Sequence, residues 1–378
     1  MPIKDVFFTT KVASDKTFCN REQESRLLLS NIQKNQHTVI VAPRRYGKTS
    51  LVVHTLMKEK CLCARIDLFC VVYEEDVCRK IANGISKLIR EISTFSEKTM
   101  KLLEQCFKSA YIGFKAGQIE IKVEFGKTAA TPITQAEELL EGLEKFAEKH
   151  KKRVVLFFDE FQDVLKVDET NKIQAAIRVI AQHTKYVNYI FSGSSRKMLN
   201  NIFDDKTQPL YMLCNKIILD RIERKHFENH IQKAAKKQWG SSLSNEIVSL
   251  ILESTEVHSY YVNVLCDKLW DSTKKPTEDN IRRCWNEVLA ENKGKIIADL
   301  EHLNTNRIKV ITVTALLGVV SEPNSKVFLD QVKLPLSTVQ HTVKYLMNHD
   351  YLYHDKEGLK LVDPIMKKFI VERYRDKN

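Results

Sequence analysis
Between His37 and Leu56 the chain passes from a short β-branched stretch, His37 to Val41, through Ala42-Pro43-Arg44-Arg45-Tyr46-Gly47-Lys48-Thr49 into the helical pattern Leu51, Val52, Thr55, Leu56. A strand, a turn-forming loop and a helix in that order constrain the fold more than any other segment. The successive backbone N–H groups of the loop and the helix N-terminus point the same way and present partial positive charge to an anion. The eight residues fit a Gly-x-x-x-x-Gly-Lys-Thr pattern except that Ala42 stands at the first glycine. Gly47 lets the backbone approach a phosphate closely, the Lys48 ammonium neutralises terminal phosphates, and the Thr49 hydroxyl suits Mg²⁺. A methyl group at position 42 is tolerable wherever the backbone there keeps a negative φ. The loop from Ala42 to Ser50 is therefore expected to hold the phosphates of a nucleotide.

A second segment answers the first. Val154-Val155-Leu156-Phe157-Phe158 is apolar throughout, as a strand covered by helices on both faces requires, and it ends in Asp159-Glu160. Burying a carboxylate is costly without a cation. Mg²⁺ held by Asp159, directly or through water, explains the pair, with Glu160 orienting and deprotonating an attacking water. The next strand ends in Phe191-Ser192-Gly193-Ser194-Ser195-Arg196. Ligands of open parallel sheets sit outside the carboxyl ends of the strands, so Ser194 is placed to position water. Arg196 is either a γ-phosphate contact or a surface arginine in the first turn of a helix.

Composition agrees with such a scaffold. Only 11 glycines and 8 prolines occur in 378 residues, which excludes collagen-like and linker-rich chains and predicts helices with few long loops. Apolar residues at 43% are too many for a disordered chain, and no apolar run approaches the roughly 18 residues that a bilayer requires. Met1 to Thr10 lacks a basic segment followed by an apolar one, so the expected address is the cytoplasm. Nine cysteines without a CxxC pair read as thiols in a reducing compartment. The net charge of +12 is spread along the chain and is a weak argument for a polyanionic partner.

Alternating strand and helix patterns up to about residue 222 predict an α/β fold with a mostly parallel sheet. Asn20 with Gln23 predicts the start of the first helix, Glu74 to Cys106 reads as one long helix, and Thr134 with Glu137 reads as a capping box. A β-hairpin insertion is expected near 110–127, its arms at Ala110–Phe114 and Ile119–Phe125. From His226 to about Glu291 only helical patterns occur. The remainder from Lys295 alternates helix, short helix, helix, two short strands and a closing helix, the order of a winged helix-turn-helix. The expected domains are a nucleotide core over 1–222, a helical lid over 223–294 and a winged helix over 295–378.

Taken together, Phe18-Cys19-Asn20-Arg21-Glu22, the Pro43–Leu51 loop with its double arginine, the Asp159-Glu160 strand and Ser194-Ser195-Arg196 resemble the archaeal-type ATPase family of the STAND group within the AAA+ superfamily. The resemblance runs through nearly the whole length. It implies an AAA+-like P-loop core, a lid and a winged helix, with ATP and Mg²⁺ as ligands and slow hydrolysis as a conformational timer. Family members carry a Gly-x-Pro-Tyr lid segment, to which Val257-His258-Ser259-Tyr260-Tyr261 corresponds here without the glycine and proline.

Three functions follow as expectations: an ATP-driven switch, a DNA-binding regulator that uses nucleotide structurally, and a catalytically silent ATP-binding scaffold. DNA contact would fall to the helix opening at Leu336, with Lys344 as its strong cation. The clusters Lys233-Lys236-Lys237, Lys274-Lys275 and Arg282-Arg283 read as solvated helix faces. Arg44, Arg45 and Arg221 are candidates for nucleotide or intersubunit contacts, and a protein partner or self-association is among the expectations. No membrane partner is expected.

Overall fold
The structure, a computed structural model, describes residues 6–7, 17–94, 96–108, 110–115, 118–123 and 131–375. These fall into two compact units. One comprises the described residues within 22–42 and 48–219, the other those within 1–21, 43–47 and 220–375.

The first unit is an α/β layer structure. Its elements are α1 (Glu22–Gln33), β1 (Thr38–Val41), α2 (Lys48–Lys58), β2 (Leu62–Asp67), α3 (Glu74–Ile92), α4 (Glu97–Cys106), β3 (Tyr111–Lys115), β4 (Gln118–Lys122), α5 (Pro132–His150), β5 (Val154–Asp159), a 3₁₀ turn (Phe161–Lys166), α6 (Lys172–Ala181), β6 (Val187–Gly193), α7 (Arg196–Asp204) and β7 (Asn215–Ile218). Five strands pair in the order β2-β5-β6-β1-β7, and all of the pairs are parallel. After β1 the chain crosses β6 and β5 to reach β2, whereas after β6 it crosses β1 to reach β7. The two connections leave adjacent strands in opposite directions, which opens a crevice at the carboxyl ends of β1 and β6.

Every residue of β1, β5 and β6 is buried, the signature of a parallel strand covered on both faces. Phe158 stacks on Phe191 at 5.4 Å between ring centroids, and Phe161 meets Phe191 edge-on at 4.7 Å. Each such buried ring contributes about 1.5–3 kcal/mol. This packing fixes the ends of β5 and β6, and with them the polar residues that follow.

Helix boundaries differ from the sequence reading at three places. The first helix starts at Glu22, because Asn20 and Arg21 hold positive φ values of 49° and 102° and stand outside it. The long helix from Glu74 is two helices. Ser96 accepts the Thr99 amide hydrogen at 3.1 Å and starts α4 afresh, an alternative that a serine side chain offers the backbone. For α5, Thr131 rather than Thr134 is the cap, with Pro132 in the first turn where its missing N–H costs nothing. The hairpin forms between β3 and β4 with Ile112 opposite Ile121, while the expected end of its second arm at residues 124–125 lies outside the described residues.

The second unit holds α8 (Arg224–Trp239), α9 (Asn245–Ser254), α10 (Ser259–Trp270), α11 (Glu278–Glu301), α12 (Thr305–Leu317), α13 (Lys326–Val332), α14 (Leu336–Asn348), β8 (Leu352–His354), β9 (Leu359–Leu361) and α15 (Pro364–Arg375). β8 and β9 pair antiparallel. One contiguous core runs through it, from Phe227 and Tyr261 to Trp285, Val310, Phe328, Leu346 and Ile365. α11 continues unbroken through 294/295, the boundary expected from the sequence; Gly294 costs such a helix only about 1 kcal/mol. Among the described residues no helix is long and apolar enough to cross a membrane.

Candidate functional site
In the sheet unit, the carboxyl ends of three adjacent strands and the start of α2 carry the polar residues. Lys48 opens α2 and is 6% exposed; its ammonium donates to the Ala42 carbonyl at 3.1 Å. Ala42 keeps a negative φ, so the methyl group costs the backbone nothing there. Thr49 donates its hydroxyl hydrogen to Asp159 Oδ2 at 2.8 Å.

Asp159 is 1% exposed and its charge is matched from several sides. Oδ2 also accepts from Arg65 Nε at 2.9 Å and lies 2.7 Å from Arg65 Nη2, while Oδ1 accepts from the Ser192 hydroxyl and from the Glu160 amide at 3.2 Å. Donors placed this closely around a buried carboxylate offset the cost of taking it out of water.

Glu160 sits in the left-handed region at φ 53°. For a non-glycine residue that costs about 1–2 kcal/mol. Hydrogen bonds to its side chain offset the cost, since Oε2 accepts from the Ser194 hydroxyl at 2.7 Å, the Ser194 amide at 3.2 Å and the Gln162 amide group at 2.7 Å. Gly193 leaves room for Gln162, because a Cβ there would stand 1.9 Å from Gln162 Oε1 and push that side chain aside. Ser50 is half-buried in the first turn of α2, and Arg196 is half-buried at the first position of α7.

Residues 43–47, which join β1 to α2 in sequence, count with the second unit. Pro43 is buried there, whereas Arg44 is exposed. Arg45 and Gly47 both have positive φ, 66° and 85°, and for Gly47 that conformation is free of steric cost. The Arg45 guanidinium lies 4.1 Å over the Tyr260 ring, a cation–π contact. Tyr46 is buried; its ring meets His258 edge-on at 5.2 Å and its carbonyl accepts from Arg21 at 3.2 Å. Arg221 approaches the Tyr46 hydroxyl at 3.4 Å, donates to the Glu256 and Val362 carbonyls, and lies 4.7 Å over the Tyr353 ring. Burial, and then the Arg221 and Arg45 charges, lower the His258 pKa to about 3, so its imidazole is neutral at physiological pH. All nine cysteines are free thiols, and burial pushes Cys19 and Cys78 up to about 12, which denies them thiolate chemistry.

Residues 25–218 match the sequence model of the KAP family P-loop domain, which is more than half of the chain. The chain belongs to the KAP P-loop family. No curated protein matches it in sequence. Among solved structures it is similar to the Walker-type ATPase PABY2304 of Pyrococcus abyssi, with a TM-score of 0.64 and 17% identity, over 97% of this chain and 99% of that one. It is also similar to the ORC2 protein of Aeropyrum pernix in its ADPNP-ADP complexes, with a TM-score of 0.55 and 13% identity, over 94% of this chain and 93% of that one. At these identities the likeness shows the fold, a P-loop NTPase core built on a five-stranded parallel sheet.

In this KAP-family chain the structure brings Thr49 to Asp159, and Glu160 to Ser194. It also adds residues that sequence reading passed over. Arg65 and Asp67 flank Asp159 from β2, and Gln162 braces Glu160. For Arg65 and Asp67 the signal was the alternation of β2, in which both are exposed while Ala64 and Ile66 are buried.

Proposed function
We propose that the chain binds ATP with Mg²⁺ through Ala42, Pro43, Arg44, Arg45, Tyr46, Gly47, Lys48, Thr49 and Ser50, and hydrolyses it slowly as a conformational switch. One observation carries this reading: the Thr49 hydroxyl lies 2.8 Å from Asp159, and the Ser194 hydroxyl 2.7 Å from Glu160, at the carboxyl ends of parallel strands. The donor set suits Mg²⁺, a hard cation that takes oxygen ligands. Thr49 spends its hydrogen on Asp159 and keeps its lone pairs for the metal, and Asp159 would hold the ion's water shell. When bound, the ion neutralises charge on the terminal phosphates.

The remaining steps belong to the chain. Loop amides and the Lys48 ammonium bind the β- and γ-phosphates and stabilise charge that develops as the terminal group departs. Glu160 takes the proton of the attacking water, and Ser194 holds its carboxylate in position. Arg196 offers a guanidinium from the start of α7.

The switch reading draws support from the second unit, where Arg45 and Tyr46 pack against Tyr260 and His258 at the start of α10. Bound nucleotide would then bias the helices that follow. Reversing a 1:99 population requires about 10⁴-fold differential affinity, which a triphosphate and a divalent ion can supply. In this reading the chain is a cytoplasmic, STAND-type member of the archaeal ATPases with a lid and a winged helix. Exposed Arg44 would serve a protein partner or a second copy.

A second reading, DNA binding, is favoured by the exposure of Gln340, His341 and Lys344 on α14. Phosphate release measured with and without duplex DNA tests both. Slow release that is lost in Glu160→Gln and indifferent to DNA supports the switch. No release from the wild type overturns hydrolysis, and no mobility shift of duplex at low salt removes the DNA reading.

A further inference from the structure
Asp67 and Asp159 are register partners on β2 and β5, which places the two carboxylates side by side at the edge of the sheet. Directly opposed like charges repel, and Asp159 is buried. Arg65, two residues before Asp67 and therefore on the same face of β2, lies between them. Its Nη2 is 3.1 Å from Asp67 Oδ2 and 2.7 Å from Asp159 Oδ2, and its Nε donates to Asp159 at 2.9 Å. Lys80, another cation at this edge, donates to the backbone carbonyls of Asp67 and Phe69.

We infer that Arg65 is the resident counter-cation of the Asp67–Asp159 pair and competes with Mg²⁺ for it. The inference rests on the reading of Asp159 as the metal-side carboxylate. Two hydrogen bonds, from the Thr49 hydroxyl and from Arg65 Nε, end on Asp159 Oδ2, and Arg65 Nη2 stands 2.7 Å from it. A carboxylate oxygen has about two lone pairs to give, so a metal or its water shell reaches Oδ2 only as Arg65 withdraws. Two carboxylates and one guanidinium leave one net negative charge, which retains an attraction for a divalent ion. Arg65 is half-exposed and can withdraw toward solvent. It is a positioning residue: it orders Thr49 and Asp159 without the metal and sets how much Mg²⁺ is needed to load the site.

The test is a MgCl₂ titration of thermal stability in the full chain, without nucleotide and then with ATP. Arg65→Gln is expected to melt below wild type in EDTA and to recover as MgCl₂ alone is added. Its Mg²⁺ half-point is expected roughly tenfold below that of wild type, the scale of one lost competing charge. Arg65→Lys restores the wild-type half-point in part. Asp67→Asn moves it the other way, because Arg65 then serves Asp159 undivided, and this variant carries the test if Arg65→Gln does not fold. Equal half-points in wild type, Arg65→Gln and Asp67→Asn would overturn the inference. The arm without nucleotide reads Arg65 whether or not ATP binds, which separates failure of this inference from failure of the ATP reading.

Discussion
The Thr49 hydroxyl rests on Asp159 Oδ2 at 2.8 Å, joining the first turn of α2 to the last residue of β5 across 110 positions of sequence. The contact is held from below by buried strands and from the side by Arg65 and Ser192. Its neighbours are therefore expected to respond to substitution in specific ways.

Gly193→Ala places a methyl group where Gln162 now lies, with Leu199 Cδ1 at 3.3 Å on its other side. Gln162 must swing away and release Glu160. Chemical denaturation is expected to show a loss of about 1 kcal/mol, while phosphate release falls well beyond what that loss explains. Gln162→Ala should lower release similarly, and the double variant should be no worse than either single one.

Arg221 joins Tyr46, Glu256, Val362 and the Tyr353 ring within the second unit. Arg221→Ala leaves the Glu256 and Val362 carbonyls short of a donor and is expected to cost about 3 kcal/mol by urea denaturation. Lysine cannot reproduce a planar fork that serves several acceptors at once, so Arg221→Lys should recover less than half.

Val257 and Glu256 carry successive positive φ values, 55° and 48°, just before α10. A left-handed backbone at a β-branched residue is strained, and glycine adopts it without a steric cost. Against the usual order, Val257→Gly should be more stable than Val257→Ala by about 1 kcal/mol, measured by thermal or urea unfolding.

How much was legible in the sequence follows from which forces act locally. The parallel layers and the strand that ends at Asp159 could be read because an uninterrupted apolar run of that length fits a strand covered on both faces. Helix starts moved where short polar side chains competed, as at Ser96 and Thr131. Arg65 stayed hidden because its partner Asp159 is 94 residues away and only strand register brings them together. The expected boundary at 294/295 failed to interrupt α11 because helical pattern continues through Gly294.

His258 supplies a pH signature. Its pKa is lowered from 6.5 to about 3, so between those values the unfolded chain binds a proton that the folded one does not. Stability from this group is complete above pH 6.5 and declines as the solution is acidified. Linkage gives a loss of about 2 kcal/mol from pH 7 to pH 5. His258→Gln should flatten the difference in melting between those two pH values relative to wild type; equal slopes would contradict it.

The central claim concerns Lys48 and the loop around it, and calorimetric titration with ATP and Mg²⁺ reads it most directly. Wild type and Glu160→Gln are predicted to bind one ATP with similar affinity. Lys48→Ala should weaken binding about 100-fold, the value of losing a charge-assisted contact to phosphate. Saturation of Lys48→Ala at the wild-type concentration, or no binding by the wild type, would contradict the account.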